Sequence, residues 1–132
     1  MRKQYIELLS AAKSASKNSY APYSGFNVGS AVLTKDGKIF TGANIENASY
    51  SLTNCAERVA LQNAVSYGAK NIIAIAVWAK KSGVFPCGAC RQVIAELAPK
   101  SDIIINDSKG KIKIFKQNKL MPFCFSKNTL KK

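Results

Sequence analysis

The chain has 132 residues, of which 47% are hydrophobic and 20% charged, a size and balance that predict a single packed domain over 1–132 and exclude wholesale disorder. Twenty basic residues against seven acidic give a net charge of +13, and there is no histidine. Without histidine, any metal or proton-transfer chemistry must run on Cys, Asp or Glu.

Tyr5, Leu8, Leu9 and Ala12 recur at helical spacing and predict an amphipathic helix over 3–17. Ser19 to Gly25 reads as a turn, with Pro22 and Gly25 as breakers. Asn27 to Thr34 and Ile39 to Ala43 read as strands joined by the hairpin signal Asp36-Gly37. Asn54 to Tyr67 predicts a helix capped by Thr53 or Asn54 and closed by Gly68. The apolar run Ile72 to Ala79 has the character of a strand covered on both faces. Gly88 to Leu97 predicts another helix, stopped by Pro99. Ile103 to Ile105 and Ile112 to Phe115 read as strands, joined too closely for a crossover and therefore antiparallel. A short tail follows. The order α, β, β, α, β, α, β, β predicts a three-layer α/β/α sandwich around a mixed five-stranded sheet.

The four cysteines are Cys55, Cys87, Cys90 and Cys124. Cys87-Gly88-Ala89-Cys90 is a C-x-x-C, which alone suits a redox pair as well as half a zinc site. Its company decides. Cys55-Ala56-Glu57 opens one predicted helix and Pro86-Cys87-Gly88-Ala89-Cys90 opens the next, so both groups fall at helix N-termini beside the same buried strand. There the helix dipole and free N–H groups favour thiolates. Three converging thiolates bind zinc and leave its fourth position open, and Glu57 stands beside them as an acid–base group that is not a ligand. The arrangement matches the three-cysteine form of the zinc deaminase signature. Cys124 has no partner motif and reads as apolar filler.

Four segments in order resemble the small, homotetrameric cytidine deaminases that act on free nucleosides. They are 20–29 (YAPYSGFNVG), 44–50 (NIENASY), 55–58 (CAER) and 86–93 (PCGACRQV), and the match spans nearly the whole chain. The resemblance implies one zinc on Cys55, Cys87 and Cys90, Glu57 as the proton carrier, and hydrolysis of cytidine or deoxycytidine to the uracil nucleoside in pyrimidine salvage. It places Asn44 and Glu46 on the ribose 3′-hydroxyl, Phe26 on the pyrimidine, and Ala56 among the substrate contacts. Arg58 is implied to hydrogen-bond the ligand sulfurs. Three thiolates and Zn²⁺ sum to −1, and that charge weakens a Lewis acid unless a cation withdraws it. Phe125 and Tyr50 are implied to meet a neighbouring subunit's site in the tetramer. Phe85 departs from the family pattern, which more often has a small residue before the proline.

The remaining expectations concern partners and place. Seventeen of the twenty basic residues are Lys, and no block exceeds two residues. Nucleic-acid readers favour Arg, so the charge reads as a solvated surface and a nucleic-acid partner is not expected. No segment approaches the ~18 apolar residues of a membrane span, and the N-terminus lacks the apolar core of a secretory signal, so a cytoplasmic location is expected. Two other assignments remain open: a deaminase of a different cytosine nucleoside, such as blasticidin S, and a zinc-stabilised binding module without activity. A substrate panel separates the first; a fourth protein ligand and a dispensable Glu57 would mark the second.

Overall fold

A computed structural model describes residues 2–80 and 84–130. Helix α1 (Arg2–Ala15) leads through a 3₁₀ turn into strands β1 (Val28–Thr34) and β2 (Ile39–Ala43). Helix α2 (Ala56–Ser66), strand β3 (Ile72–Ala79), helix α3 (Gly88–Leu97) and strands β4 (Asp102–Asn106) and β5 (Ile112–Lys116) follow. Two four-residue helices, α4 (Gln117–Leu120) and α5 (Lys127–Leu130), occupy the tail. The sheet runs β2-β1-β3-β4-β5. Only β3 and β4 are parallel, with α3 as their crossover; the other neighbours are antiparallel.

Side-chain alternation divides the core into two layers. Ala31, Leu33, Ala74, Ala76 and Ile104 face α1, which offers Tyr5, Leu8, Leu9 and Ala12. Val28, Val32, Ile75, Val77, Ile103 and Ile105 face the opposite way, onto Ala60, Leu61 and Ala64 of α2 and Ile94 of α3. The expected three-layer α/β/α sandwich with a mixed five-stranded sheet is therefore the fold. Two glycines set how tightly its layers meet. A Cβ on Gly29 would stand 1.8 Å from the Ala12 carbonyl oxygen, and one on Gly42 would stand 2.4 Å from the Ala60 nitrogen. Any side chain there would push α1 off β1 or α2 off β2.

Two expectations are corrected. The cap of α2 is Cys55, not Thr53 or Asn54. Asn54 exchanges both backbone hydrogen bonds with Ile45, at 2.9 Å each, and its side chain donates to Gln62. Thr53 Oγ1 is taken by the Asn47 N–H. With both side chains committed, the cap passes to Cys55 and the helix starts at Ala56, two residues later than expected. The tail is also more structured than expected: α4 follows β5 without a break, its Gln117 N–H donating to the Ser101 carbonyl at 3.0 Å.

Asp102 fastens α1 to β4, accepting from the Tyr5 hydroxyl at 2.7 Å and pairing with the Lys116 ammonium at 2.9 Å. Burial pushes its carboxyl up, but Lys116 and Tyr5 outweigh that and hold it below its ordinary value. Burial, joined by the Asp102 charge, pushes the Tyr5 hydroxyl up to about 12. A carboxyl depressed by folding adds stability above its unfolded pKa and loses it as pH falls through the folded one. Asp102→Asn is therefore expected to lower the urea midpoint at pH 7. The gap from wild type should close as pH drops below about 4, the ordinary aspartate value. Urea titrations across pH 3 to 7 would show it, and a gap that stays constant would contradict the assignment.

Candidate metal centre and active site

The centre lies where β3 ends and β1 begins, with Val28 paired to Ala79. Two helices start there, and each is capped by a cysteine in extended conformation: Cys55 for α2 and Cys87 for α3. Cys87 Sγ accepts the Cys90 N–H at 3.4 Å, as a capping side chain does. The C-x-x-C spacing thus puts one sulfur at the cap and the other in the first turn of the same helix. Cys55 is joined to the sheet through Asn54, whose bridge to Ile45 is extended by the bridge of Ile45 to Tyr20. The three segments 20, 45 and 54 are therefore held in one backbone patch beside the sulfurs.

The sulfurs of Cys55, Cys87 and Cys90 lie within 4.8 Å of one another, and those of Cys55 and Cys87 are 3.9 Å apart. Tetrahedral zinc with Zn–S bonds of about 2.3 Å needs sulfurs about 3.8 Å apart, so the triad fits that ion. Among the described residues no fourth His, Cys, Asp or Glu joins the group. Cys124 stands outside it.

Charge around the triad is tightly coupled. A hydrogen bond from Cys90, supported by Arg58 and Cys87, pulls the Cys55 thiol down to about 5 against the effect of burial. The same bond, with burial, pushes the Cys90 thiol up, so the proton sits on Cys90 and the charge on Cys55. Arg58 Nη2 donates to Cys55 Sγ at 3.4 Å, and this contact raises the guanidinium further. Glu57 is 4% exposed. Burial, chiefly, pushes its carboxyl up to about 7, and the Cys55 charge acts in the same direction. A carboxyl that titrates near neutrality gives and takes protons with little cost, the property a general acid–base needs.

The other expected site residues differ widely in burial. Asn44 is buried, and its amide holds the backbone of 26–28: Nδ2 donates to the Phe26 carbonyl at 2.7 Å, and Oδ1 accepts from the Val28 N–H and the Ser19 hydroxyl. Glu46 caps a turn, accepting from the N–H groups of Tyr23 and Ser24 at 3.0 and 3.1 Å and from the Ser24 hydroxyl. Those hydrogen bonds pull its carboxyl down, the Ser24 hydroxyl being the strongest contributor. Phe26 is exposed, and its N–H donates to Ser24 Oγ. Tyr50 is 76% exposed, edge-on to Tyr23 with centroids 6.1 Å apart, and Phe125 is 59% exposed. Ala56 is buried at the first position of α2. Glu46 and Tyr50 line a cavity of about 380 Å³ with Tyr23, Ser24 and Thr53. Tyr23 and Ser24 lie inside the quoted segment 20–29 but had no expected place in the site, and Thr53 was expected only as a helix cap. Phe85, the unusual residue, is accommodated against Phe115 with ring centroids 5.2 Å apart.

The model of the family described as "Cytidine and deoxycytidylate deaminase zinc-binding region" matches residues 2–106. The chain belongs to the cytidine and deoxycytidylate deaminase family. It is 50% identical over 121 residues to a cytidine deaminase of Halalkalibacterium halodurans, covering 90% of this chain and 92% of that one. It is 48% identical over 126 residues to a cytidine deaminase of Sporosarcina psychrophila, covering 94% and 93%. The crystal structure of a cytidine deaminase from Burkholderia pseudomallei superposes with a TM-score of 0.86 at 44% identity, covering 91% of this chain and 98% of that chain. Zinc is the metal of the family's domain, and the three sulfurs form a potential site for it here.

Removing any one ligand sulfur should abolish binding of the metal, because two thiolates cannot hold zinc in this open setting. Elemental analysis of Cys55→Ser, Cys87→Ser and Cys90→Ser should find little zinc, and Cys124→Ser should keep about one zinc per chain. Metal loss in the Cys124 variant would overturn the ligand set.

Proposed function

We propose that this chain hydrolyses the C4 amine of cytidine and deoxycytidine, releasing ammonia and the uracil nucleoside. The observation that carries this is Glu57, a buried carboxyl poised near neutrality beside three sulfurs that can hold a metal. When bound, zinc supplies a Lewis acid that makes water a competent nucleophile near neutral pH. Cys55, Cys87 and Cys90 hold it. Glu57 takes one proton from the attacking water and passes it to the ring nitrogen N3, then takes the second from the hydroxyl newly added at C4 and delivers it to the departing amine, leaving the C4 carbonyl. Arg58 withdraws charge from Cys55 and keeps the three-sulfur centre from becoming too anionic.

Substrate contacts come from the rim. Phe26 packs on the pyrimidine, and Ala56 borders it at the start of α2. Glu46 accepts the ribose 3′-hydroxyl. Oε1 already takes two N–H groups and Oε2 takes the Ser24 hydroxyl, so one acceptor position on Oε2 remains for the sugar. Asn44 contributes its second amide N–H, since its oxygen and its first N–H are used to hold 26–28. A carboxylate there repels a 3′-phosphate, which favours a free nucleoside over a polynucleotide. The same 3′-hydroxyl is present in deoxycytidine. The whole chain acts as one catalytic domain, in pyrimidine salvage in the cytoplasm.

The site is completed by assembly. The rim carries exposed Tyr20, Tyr23, Ile45, Tyr50 and Leu52, and the tail carries exposed Phe123 and Phe125. A homotetramer covers this apolar surface, brings Phe125 to a neighbour's site with Tyr50 at the same contact, and excludes water from the reacting centre.

Glu57→Gln is expected to keep zinc and fold but lose at least about a thousandfold in the rate of decay of the cytidine ultraviolet band, because an amide cannot carry protons. Activity within about tenfold of wild type would remove Glu57 from that role. Chelator treatment of wild type should abolish the same signal. Light scattering should give about four times the 14.3 kDa chain mass. Mixing inactive Glu57→Gln with inactive Phe125→Ala subunits should restore part of the activity if sites are shared. A fully active monomer would contradict the assembly.

A further inference from the structure

Arg91 follows the ligand Cys90 by one residue on α3, and its guanidinium is used twice. Nε donates to the Pro86 carbonyl at 2.8 Å and Nη1 to the Leu120 carbonyl at 3.0 Å. Pro86 is fully buried and directly precedes Cys87. The first bond therefore fixes the plane of the Pro86–Cys87 peptide, and with it the direction from which the Cys87 sulfur approaches the triad. The second bond engages the last carbonyl of α4, a group that the end of a helix leaves without an internal partner. The guanidinium also lies 6.0 Å from the centre of the Phe85 ring, which packs on Phe115 of β5. Gln92, the next residue, donates to the Phe125 carbonyl at 2.7 Å. Two consecutive residues of the metal-bearing helix thus hold the C-terminal segment at two points, and one of them also holds the metal loop.

We propose that Arg91 is a positioning residue that ties the Cys87 ligand to the docked C-terminal segment, so that retention of zinc depends on that segment staying in place. This rests on the zinc site described above. The physical basis is the planar fork of arginine. It holds two carbonyls at fixed separation, and a lysine cannot reproduce both bonds at once. Loosening either end lets the fork turn and frees the Pro86–Cys87 peptide to rotate. A Cys87 whose backbone is free to rotate leaves the metal more readily, and the site opens. Because Phe125 is carried on the same segment, events at the tail reach the metal through two side chains.

The test uses the full-length zinc-loaded protein at a temperature where far-ultraviolet circular dichroism is unchanged between variants. Two rates are followed: transfer of zinc to a chromogenic chelator, and tryptic cleavage after Lys119 and Lys127. Arg91→Ala is expected to release zinc about ten- to a hundredfold faster than wild type, the usual cost of removing a partner that orients a ligand. Arg91→Lys should fall between the two and serves also if Arg91→Ala does not fold. Gln92→Ala, which touches only the tail, should speed both cleavage and zinc release, and should add nothing to zinc release once Arg91 is gone. Zinc release at the wild-type rate in Arg91→Ala and Arg91→Lys would overturn the proposal. So would Gln92→Ala with a loosened tail and unchanged zinc release, or additive effects in the double variant. A wild-type chain that binds no zinc would defeat the metal site itself, whereas a normal zinc content with unaltered release in the variants would defeat only the link to the tail.

Discussion

Three sulfur atoms held within 4.8 Å of one another are the constraint around which the rest of this fold is arranged. Negative charge on sulfurs at that separation is unfavourable, and besides a metal ion it takes positive potential and rigid backbone to hold them there. Both are present. Two helix N-termini converge on the cluster, and in each the capping position is itself a cysteine. Arg58 adds a full charge at 3.4 Å from Cys55. The convergence follows from topology. Helices α2 and α3 pack on the same face of the sheet, flanking the central strand β3, and start at the same end of it. Gly42 lets α2 approach β2 closely enough to keep its first turn beside the sulfurs.

The same geometry determines the chemistry left to Glu57. Two residues beyond Cys55 on α2, the side chain is carried into the core rather than toward solvent, and burial alone raises its carboxyl. The Cys55 charge adds to that effect, while a hydrogen bond from Cys90 and the charge of Arg58 oppose it. A surface glutamate at the same helix position would be an ordinary first-turn acid stabilising the dipole. Here desolvation converts it into a group that exchanges protons near neutrality. The lysine surface takes no part in the cluster: Lys38 with Asp36 and Lys116 with Asp102 are the ion pairs among the described residues, and neither includes a member of the sulfur triad or Glu57.

Much of this was legible in the sequence because the strongest signals were local. The apolar run of β3, the Asp36-Gly37 hairpin and the spacing of Tyr5, Leu8, Leu9 and Ala12 each express one period or one turn, and the order of elements followed from them. The cysteine pattern was legible for the same reason. Tertiary competition was not. Asn54 has the chemistry of a cap, yet its backbone is taken by Ile45, so the cap passes to Cys55. Asn44 and Glu46 stand out as polar residues in a motif, but nothing in their spacing says that they brace the loop carrying Phe26. Four-residue helices such as α4 leave too little periodicity to detect. Arg91 sat inside a recognised motif without a role, since its partners Pro86 and Leu120 meet it only after the tail folds back on α3.

A metal held by Cys55, Cys87 and Cys90 keeps one coordination position free for chemistry. X-ray absorption at the zinc edge of the loaded protein reads that coordination. It should find three sulfur neighbours at about 2.3 Å and one lighter oxygen or nitrogen neighbour at about 2.0 Å. Four sulfur neighbours would show a closed structural centre with Cys124 or a second chain as ligand. Two or fewer would show that Cys55, Cys87 and Cys90 do not act together.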